Sequence, residues 1–230
     1  MLAVVVATPG ELKAAFRFAE VPALEQGASA TSEVGGREIL LHVCGVGVVN
    51  AAMAAGRLLA DSGVAGIVNL GIAGTYDPDV AAMGSAVCAS REVWPEYGLL
   101  DGSGCVDAEA LGFAQGKVDD RPVWDRVDLD PDGAAQRMGL SLSSKWSRSV
   151  SVTVSGVSGT PERAEQLRAA YGGGTENMEG FALAFGAAQA GLPFLQVRTV
   201  SNLVGSRASE DWDVKGAFAA LGEATKRLFS

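Results

Sequence analysis

The chain has 230 residues and a formal net charge of −9 at pH 7, which excludes nucleic acid and anionic membrane surfaces as main partners, because both repel it. Apolar residues make up 48% of it, yet no uninterrupted apolar run reaches the ~20 residues that a membrane-spanning helix needs. Met1-Leu2-Ala3-Val4 has no basic segment ahead of it and reads as a first strand, not a signal peptide, so a soluble cytoplasmic protein is expected.

The length fits one large α/β domain over residues 1–230 better than two small ones. Cys44, Cys88 and Cys105 are unevenly spaced and form no C-x-x-C pair, so neither a disulfide framework nor a zinc site is expected. His42, the single histidine, lies in an apolar segment. A core or interface position is the expectation for it, against a catalytic device built on that one ring.

Residues 2–7 are a continuous apolar run, the pattern of a strand covered on both faces. Thr8-Pro9-Gly10-Glu11 follows, with an N-cap residue, a proline at the first helical position and an acid three residues after the cap. That is a capping box, and it suffices to explain Glu11. The competing reading is that a carboxylate at the end of the first strand points into the ligand crevice of an open α/β sheet. Leu12, Ala15, Phe16 and Ala19 then carry helical spacing.

Residues 38–44 are the next expected strand, after a turn at Gly35-Gly36. It runs into Gly45-Val46-Gly47-Val48-Val49-Asn50, a tight glycine turn opening a small-residue helix that ends near Gly63. A dinucleotide fingerprint needs a third glycine where Asn50 stands and an acid about 20 positions on, whereas Asp61 comes too early. Close helix–strand approach is the plainer reading. Residues 66–70 form another buried strand, ending in Gly71-Ile72-Ala73-Gly74-Thr75. Glycines there let the backbone approach a ligand, and backbone N–H groups can hold an anion or a water. No Lys or Arg accompanies them. Residues 86–90 read as a fourth strand, residues 91–148 as turns and short elements, and the Ser-rich stretch 141–151 as a loop.

Residues 151–155 are again a strand, and Thr160-Pro161-Glu162 has cap chemistry for a helix to about Ala170. Residues 171–174 end it and lead into Thr175-Glu176-Asn177-Met178-Glu179-Gly180-Phe181-Ala182, which opens an Ala-rich helix to about Gln189. That helix is small or apolar on nearly every face and so buried all round. Glu179 is then either a cap at the positive end of the helix dipole or a buried carboxylate in need of partners, for which vicinal ribose hydroxyls would serve. Residues 194–200 are the last strand, with Arg198-Thr199-Val200-Ser201-Asn202 at its end. Asp211-Trp212-Asp213 caps a final amphipathic helix to about Leu228. Strands alternating with helices over the whole length give the fold class: α/β, a single domain with a central mixed, mostly parallel sheet flanked by helices.

Four segments, residues 45–52, 69–74, 177–180 and 198–202, resemble in order the motifs of the purine nucleoside phosphorylase/nucleosidase superfamily, over nearly the full chain. Met178-Glu179-Gly180, residues 152–160 and Ser201-Asn202-Leu203-Val204-Gly205 look most like its futalosine hydrolase branch. The resemblance implies a nucleoside phosphorylase-like fold and a hydrolase that cleaves the N-glycosidic bond of futalosine, releasing hypoxanthine on the route to menaquinone. It makes Glu11 and Asn202 the catalytic residues, Glu11 acting on the attacking water and Asn202 on the departing purine. Met178 and Glu179 would hold the ribose, Asn177 would join the substrate-binding residues, Ile72, Ala73 and Gly74 would line the nucleophile side, and the 157–160 loop with Gly159 and Thr160 would touch the base. It also implies a small-molecule nucleoside substrate, no cofactor or metal, and a homo-oligomer.

Two departures refine that reading. Phosphorylases of the superfamily bind phosphate with Arg and a Ser or Thr hydroxyl, whereas the matching strand end here offers Asn69 and Ile72. Water is therefore the expected nucleophile. Adenine-specific nucleosidases carry Asp where this chain has Asn202, and an amide that donates toward N7 and O6 suits a 6-oxopurine. The rivals are a phosphorylase, an adenine-releasing nucleosidase acting on aminofutalosine or methylthioadenosine, and a non-catalytic nucleoside-binding protein. Arg207, Ser206 and residues 91–103 are candidates for the far end of the substrate, and Trp94, Tyr97 and Phe113 for an interface.

Overall fold

A computed structural model describes residues 1–100 and 106–230. Its first half lays down β1 (Leu2–Val6), α1 (Pro9–Ala15), β2 (Ser29–Val34), β3 (Arg37–Val43), α2 (Val48–Leu59), β4 (Gly66–Thr75) and β5 (Ala86–Val93). Short strands follow: β6 (Leu99–Leu100), β7 (Val106–Asp107), β8 (Gly116–Val118), β9 (Arg121–Val123) and β10 (Arg126–Asp128). The remainder is α3 (Pro131–Met138), β11 (Ser147–Thr153), α4 (Pro161–Tyr171), β12 (Gly173–Asn177), α5 (Gly180–Gln189), β13 (Phe194–Leu203) and α6 (Val214–Leu228).

The main sheet runs β10-β5-β11-β12-β4-β1-β3-β2, and β13 hydrogen-bonds to both β4 and β5. Five strands (β4, β13, β5, β11 and β12) therefore pair in a closed circuit, while β1, β3 and β2 continue as open sheet. The strands β3-β1-β4-β13 form one parallel block and β5-β11-β12 another. The blocks join through antiparallel contacts, β12 on β4 and β13 on β5. The ten-residue β4 makes this closure: its first residues pair with β1 and its last, Gly74 and Thr75, with β12.

Alternation along each strand sends successive side chains to opposite faces. Val4, Leu41, Val68, Leu70 and Val197 pack against α1, α3 and α6 through Leu12, Phe16, Met138, Leu221 and Leu228. Ala3, Val5, Ile67 and Phe194 pack against α2 and α5 through Ala51, Leu58, Phe181 and Leu183. Both faces of β1 are thus covered, which is why its sequence is apolar throughout. On the α2/α5 face the apolar pattern stops toward the strand ends, where Asn69, Glu92, Gln196 and Arg198 are all buried. That polar row marks the site.

The structure corrects several expectations. The 141–151 stretch is not all loop, because β11 starts at Ser147. Its serines face other polar groups, so the apolar alternation that marks a strand is missing. Residues 175–177 do not open the helix. They belong to β12, paired parallel with β11 and antiparallel with β4, and α5 begins at Gly180. The short elements expected over residues 91–148 include an eight-residue helix, α3, whose N-cap Asp130 accepts from Gly133 N–H. The edge strand β2 lacked a sequence signal because its side chains alternate between solvent and partial burial. Elsewhere the local chemistry holds: Thr8, Thr160 and Asp213 each cap the helix that follows.

His42 is buried, with Nδ1 2.8 Å from Ser29 Oγ. Burial lowers its pKa, and it occupies the core position expected of it. Cys44 and Cys88 are buried free thiols that desolvation pushes up to about 12, so both stay protonated. Cys105 and residues 101–103 lie outside the described residues. Among the described residues, no helix is long and apolar enough to cross a membrane.

Candidate active site

A cavity of about 320 Å³ opens at the strand ends, and Glu11, Ile72, Ala73, Gly74, Asn177, Met178, Glu179 and Asn202 all contribute to its wall. The side chains at positions 11 and 202 face one cavity, not two. Gly159 and Thr160 stand outside it: both are exposed, and Thr160 spends its hydroxyl on the N-cap of α4. Val157 and Ser158 supply the wall from that loop. A larger cleft of about 450 Å³, between α4 and the 107–126 region, contains none of the predicted catalytic, ribose-holding or base-contacting residues, and from the 91–103 candidates it takes only Pro95 among the described residues. Its charged walls are partly engaged already, Arg126 with Asp125 and Arg163 with Glu96.

Glu11 both completes a capping box and lines the cavity. Its Oε2 accepts from Thr8 N–H at 2.9 Å, Thr8 Oγ1 at 3.1 Å and Ala7 N–H at 3.1 Å, completing the capping box of α1. Its Oε1 crosses to the next strand and accepts from Ile72 N–H at 3.1 Å. Burial raises its pKa above the ordinary value; Arg198 works against that rise, Glu179 adds to it, and the Ile72 and Thr8 hydrogen bonds lower it.

Glu179 is 3% exposed and makes no side-chain cap of its own helix. Its Oε1 accepts from Gly47 N–H at 3.1 Å and its Oε2 from Arg198 Nη2 at 3.1 Å. Gly47 sits at φ +99°, a conformation open to glycine and strained for other residues. The glycine turn before α2 therefore serves to aim an N–H at Glu179. Asn177 turns inward: its Oδ1 accepts from Glu179 N–H and Gly180 N–H at 2.9 and 2.7 Å, capping α5 from the strand before it.

The sequence reading assigned Arg198 no role and expected no cation beside Ile72–Gly74; the structure corrects this. Arg198 is 2% exposed and donates to Asn69 Oδ1 at 2.7 Å, to Glu179 Oε2, and to the Ile72 carbonyl at 3.4 Å. A Cβ at Gly71 would lie 2.5 Å from both Arg198 Nη1 and Glu11 Oε1, so this glycine is what lets guanidinium and carboxylate meet over β4. The signal was present in the sequence, since a charge in a strand buried on both faces needs a partner. What the sequence could not name was the partner.

Glu176 is the other acid missed as a site residue. It lines the cavity, with Oε1 accepting from Ser158 N–H at 2.9 Å and Oε2 from Ser158 Oγ and Tyr76 OH at 2.6 and 2.8 Å. Glu176 and Asn202 are both register partners of Gly74, one on each side of β4. Asn202 accepts from Ser201 Oγ through Oδ1 and donates one Nδ2 proton to the Leu203 carbonyl, which leaves one proton of its amide uncommitted. At the rim, Arg207 stacks over Trp212 at 5.8 Å, and both line the cavity.

This sheet circuit, with two carboxylates and a guanidinium at one cavity, belongs to a known class. The sequence profile of the phosphorylase superfamily matches residues 1–230, and the chain belongs to that superfamily. It is 35% identical over 186 residues to the futalosine hydrolase of Thermus thermophilus, spanning 81% of this chain and 79% of that protein. It is also 35% identical over 163 residues to the futalosine hydrolase of Streptomyces coelicolor, spanning 70% of this chain and 64% of that one. In fold it is similar to a 5'-methylthioadenosine/S-adenosylhomocysteine nucleosidase from Helicobacter pylori, with a TM-score of 0.73, 16% identity, and 98% and 94% of the two chains covered.

Proposed function

We propose that this protein is an N-glycosyl hydrolase that cleaves futalosine to hypoxanthine and the base-free sugar, with water as the nucleophile. The observation that carries water over phosphate is the charge balance around Arg198: one guanidinium stands between two carboxylates, Glu11 and Glu179. Its charge is already countered. A phosphate dianion placed there would meet surplus negative charge in a buried site, which is costly. A neutral water meets no such penalty, and Glu11, with its pKa raised by burial, is a stronger base toward it than an exposed carboxylate.

The N-glycosidic bond breaks through an oxocarbenium-like sugar. Glu179 accepts from the ribose hydroxyls, Glu11 places and deprotonates the water, and the free Asn202 N–H offsets charge on the leaving purine. Acid–base assistance of this kind contributes about 10²- to 10⁴-fold. The base preference rests on Asn202 and Glu176 acting on either side of Gly74. One lone pair of Glu176 Oε1 remains after the Ser158 bond, and it suits the N1–H donor of a 6-oxopurine. A 6-aminopurine presents a lone pair at N1 and is repelled. This favours hypoxanthine over adenine as leaving group. Arg207 on Trp212 offers a cation to the carboxylate at the far end of futalosine.

A second copy of the chain is the proposed cover for Val46, Val49 and Met53, which are 49%, 74% and 55% exposed beside the cavity mouth; light scattering of the eluting protein tests it. For the activity, the protein is mixed with futalosine with and without phosphate. Hypoxanthine and a free sugar in both cases support the proposal. A phosphate requirement with a sugar 1-phosphate product, or release of base only from the 6-amino substrate, overturns it.

A further inference from the structure

Behind the cavity wall, on the α5 face of the sheet, lies a buried polar cluster that the mechanism above does not use. Its centre is Glu92 on β5, which is 0% exposed. Thr153 Oγ1 donates to Glu92 Oε2 at 2.6 Å, and Asn177 Nδ2 lies 3.4 and 3.3 Å from its two carboxyl oxygens. Gln196 Nε2 donates to Oε1, and Ser151 Oγ links Gln196 with Asn177. These side chains come from β5, β11, β12 and β13, four of the five strands in the closed circuit.

Two of these partners hold the start of α5 with their remaining lone pairs. Asn177 Oδ1 accepts from the N–H groups of Glu179 and Gly180, and Thr153 Oγ1 accepts from Phe181 N–H at 2.8 Å. Together they satisfy three of the four N–H groups that a helix N-terminus leaves open. Both groups can rotate: an amide can exchange its oxygen and nitrogen, and a hydroxyl can turn its proton. Something must fix their sense. The Glu92 carboxyl draws the Thr153 hydroxyl proton at 2.6 Å, against 3.2 Å to the alternative acceptor Asn177 Oδ1, and shares the Asn177 amide protons with Ser151 Oγ at 2.8 Å, which leaves only acceptors facing the helix.

We propose that Glu92 is a positioning residue for Glu179, orienting Asn177 and Thr153 so that they fix the first turn of α5 and with it the direction of the Glu179 carboxylate. A second feature points the same way. A Cβ at Gly180 would collide with the carboxyl of Glu92 and the amide of Gln196, so the glycine that follows Glu179 is the space into which this carboxyl reaches. The inference rests on the reading of Glu179 as the ribose-holding group.

The test compares Glu92→Leu, which removes the acceptor, with Glu92→Gln, which keeps one acceptor oxygen toward Asn177 and Thr153. Each is assayed on the ribonucleoside and on its 2'- and 3'-deoxy analogues, by kcat/KM and by Kd. A hydrogen bond to a charged group supports roughly a 10- to 150-fold preference for the hydroxylated substrate in the unaltered protein. Glu92→Leu is expected to shrink that preference by tenfold or more while leaving the hypoxanthine-over-adenine ratio unmoved, and Glu92→Gln to restore most of it. A folded Glu92→Leu with the full ribose preference overturns the proposal. If that variant does not fold, Thr153→Val carries the test: it removes one of the two links and must show a smaller loss of the same sign, and an unchanged ratio again overturns it. Absence of cleavage by the unaltered protein would count against the activity alone, since the Kd ratios still decide the role of Glu92.

Discussion

Arg198 Nη2 stands 3.1 Å from Glu179 Oε2, with the two side chains 2% and 4% exposed, and Glu11 is the second acid beside the same guanidinium. Removing one member of a buried ion pair leaves an uncompensated charge and costs about 3–5 kcal/mol. Arg198→Met is therefore expected to lose stability of that size in urea unfolding at pH 7, together with turnover. The loss shrinks at lower pH, where Glu11, whose pKa burial raises, takes up a proton and ceases to repel Glu179. An equal penalty at pH 7 and at the lower pH would mean that the guanidinium matters for packing and not for charge.

Glu11 serves as cap and as proposed base, and the two roles separate by mutation. Thr8→Ala removes the other half of the capping box and is expected to cost about 1 kcal/mol of stability, with turnover reduced less than tenfold. Glu11→Gln retains an acceptor for Thr8 N–H but cannot take a proton, so kcat should fall by about 10²- to 10⁴-fold. Because burial raises the Glu11 pKa, the acid limb of kcat/KM should lie above the ordinary carboxylate range, activity being lost as pH falls through it. Thermal melts and a pH–rate profile check both statements. A Glu11→Gln protein at full activity removes Glu11 from the chemistry.

Which parts of this site could be read in the sequence follows from how far each side chain reaches. Thr8, Thr160 and Asp213 bond to an N–H three residues on, so their chemistry is written locally. The apolar strands β1 and β4 are legible because both of their faces are covered. By contrast, β12 reads Gly-Gly-Thr-Glu-Asn and contains no apolar residue. It is a strand because Thr175 bonds to Ser151, Glu176 to Ser158 and Tyr76, and Asn177 to Ser151, partners 18 to 100 residues away. Arg198 belongs to the same kind: the charge is visible, while Asn69 and Glu179 become its partners only once β4, β13 and α5 are assembled.

The flanking of Gly74 by Glu176 and Asn202 predicts a change of base preference. Glu176→Gln can turn an amide donor toward N1, which suits the lone pair of a 6-aminopurine and opposes the N1–H of a 6-oxopurine. The ratio of kcat/KM for the 6-oxo over the 6-amino nucleoside should fall about 10- to 100-fold, the range for one mismatched buried polar contact. An N1-methylated 6-oxopurine nucleoside should lose most of its reactivity with the unaltered enzyme and little more with the variant. Equal ratios for the two proteins would assign Glu176 to holding Ser158 alone.

Glu92 predicts a dependence of stability on pH that is separable from catalysis. Burial raises its pKa to about 7, against the lowering effects of the Thr153 hydrogen bond, the Arg198 charge and the Asn177 and Ser151 hydrogen bonds. A carboxyl whose pKa is higher in the folded than in the unfolded chain binds its proton more tightly when folded. Its contribution is thus complete below the unfolded value of 4.5 and is lost as pH rises through about 7. Gln196 Oε1, which is buried without a hydrogen-bond partner among the described residues, gains one from protonated Glu92 if the amide turns over. Glu92→Gln cannot ionise, so its stability relative to the unaltered protein should rise between pH 5 and pH 8 by up to roughly 3 kcal/mol. Groups common to both proteins cancel in that difference, which urea midpoints at a series of pH values would measure. A difference that stays flat across this range would mean that Glu92 keeps an ordinary carboxylate pKa in the folded protein, with its desolvation fully offset by Thr153, Asn177 and Arg198.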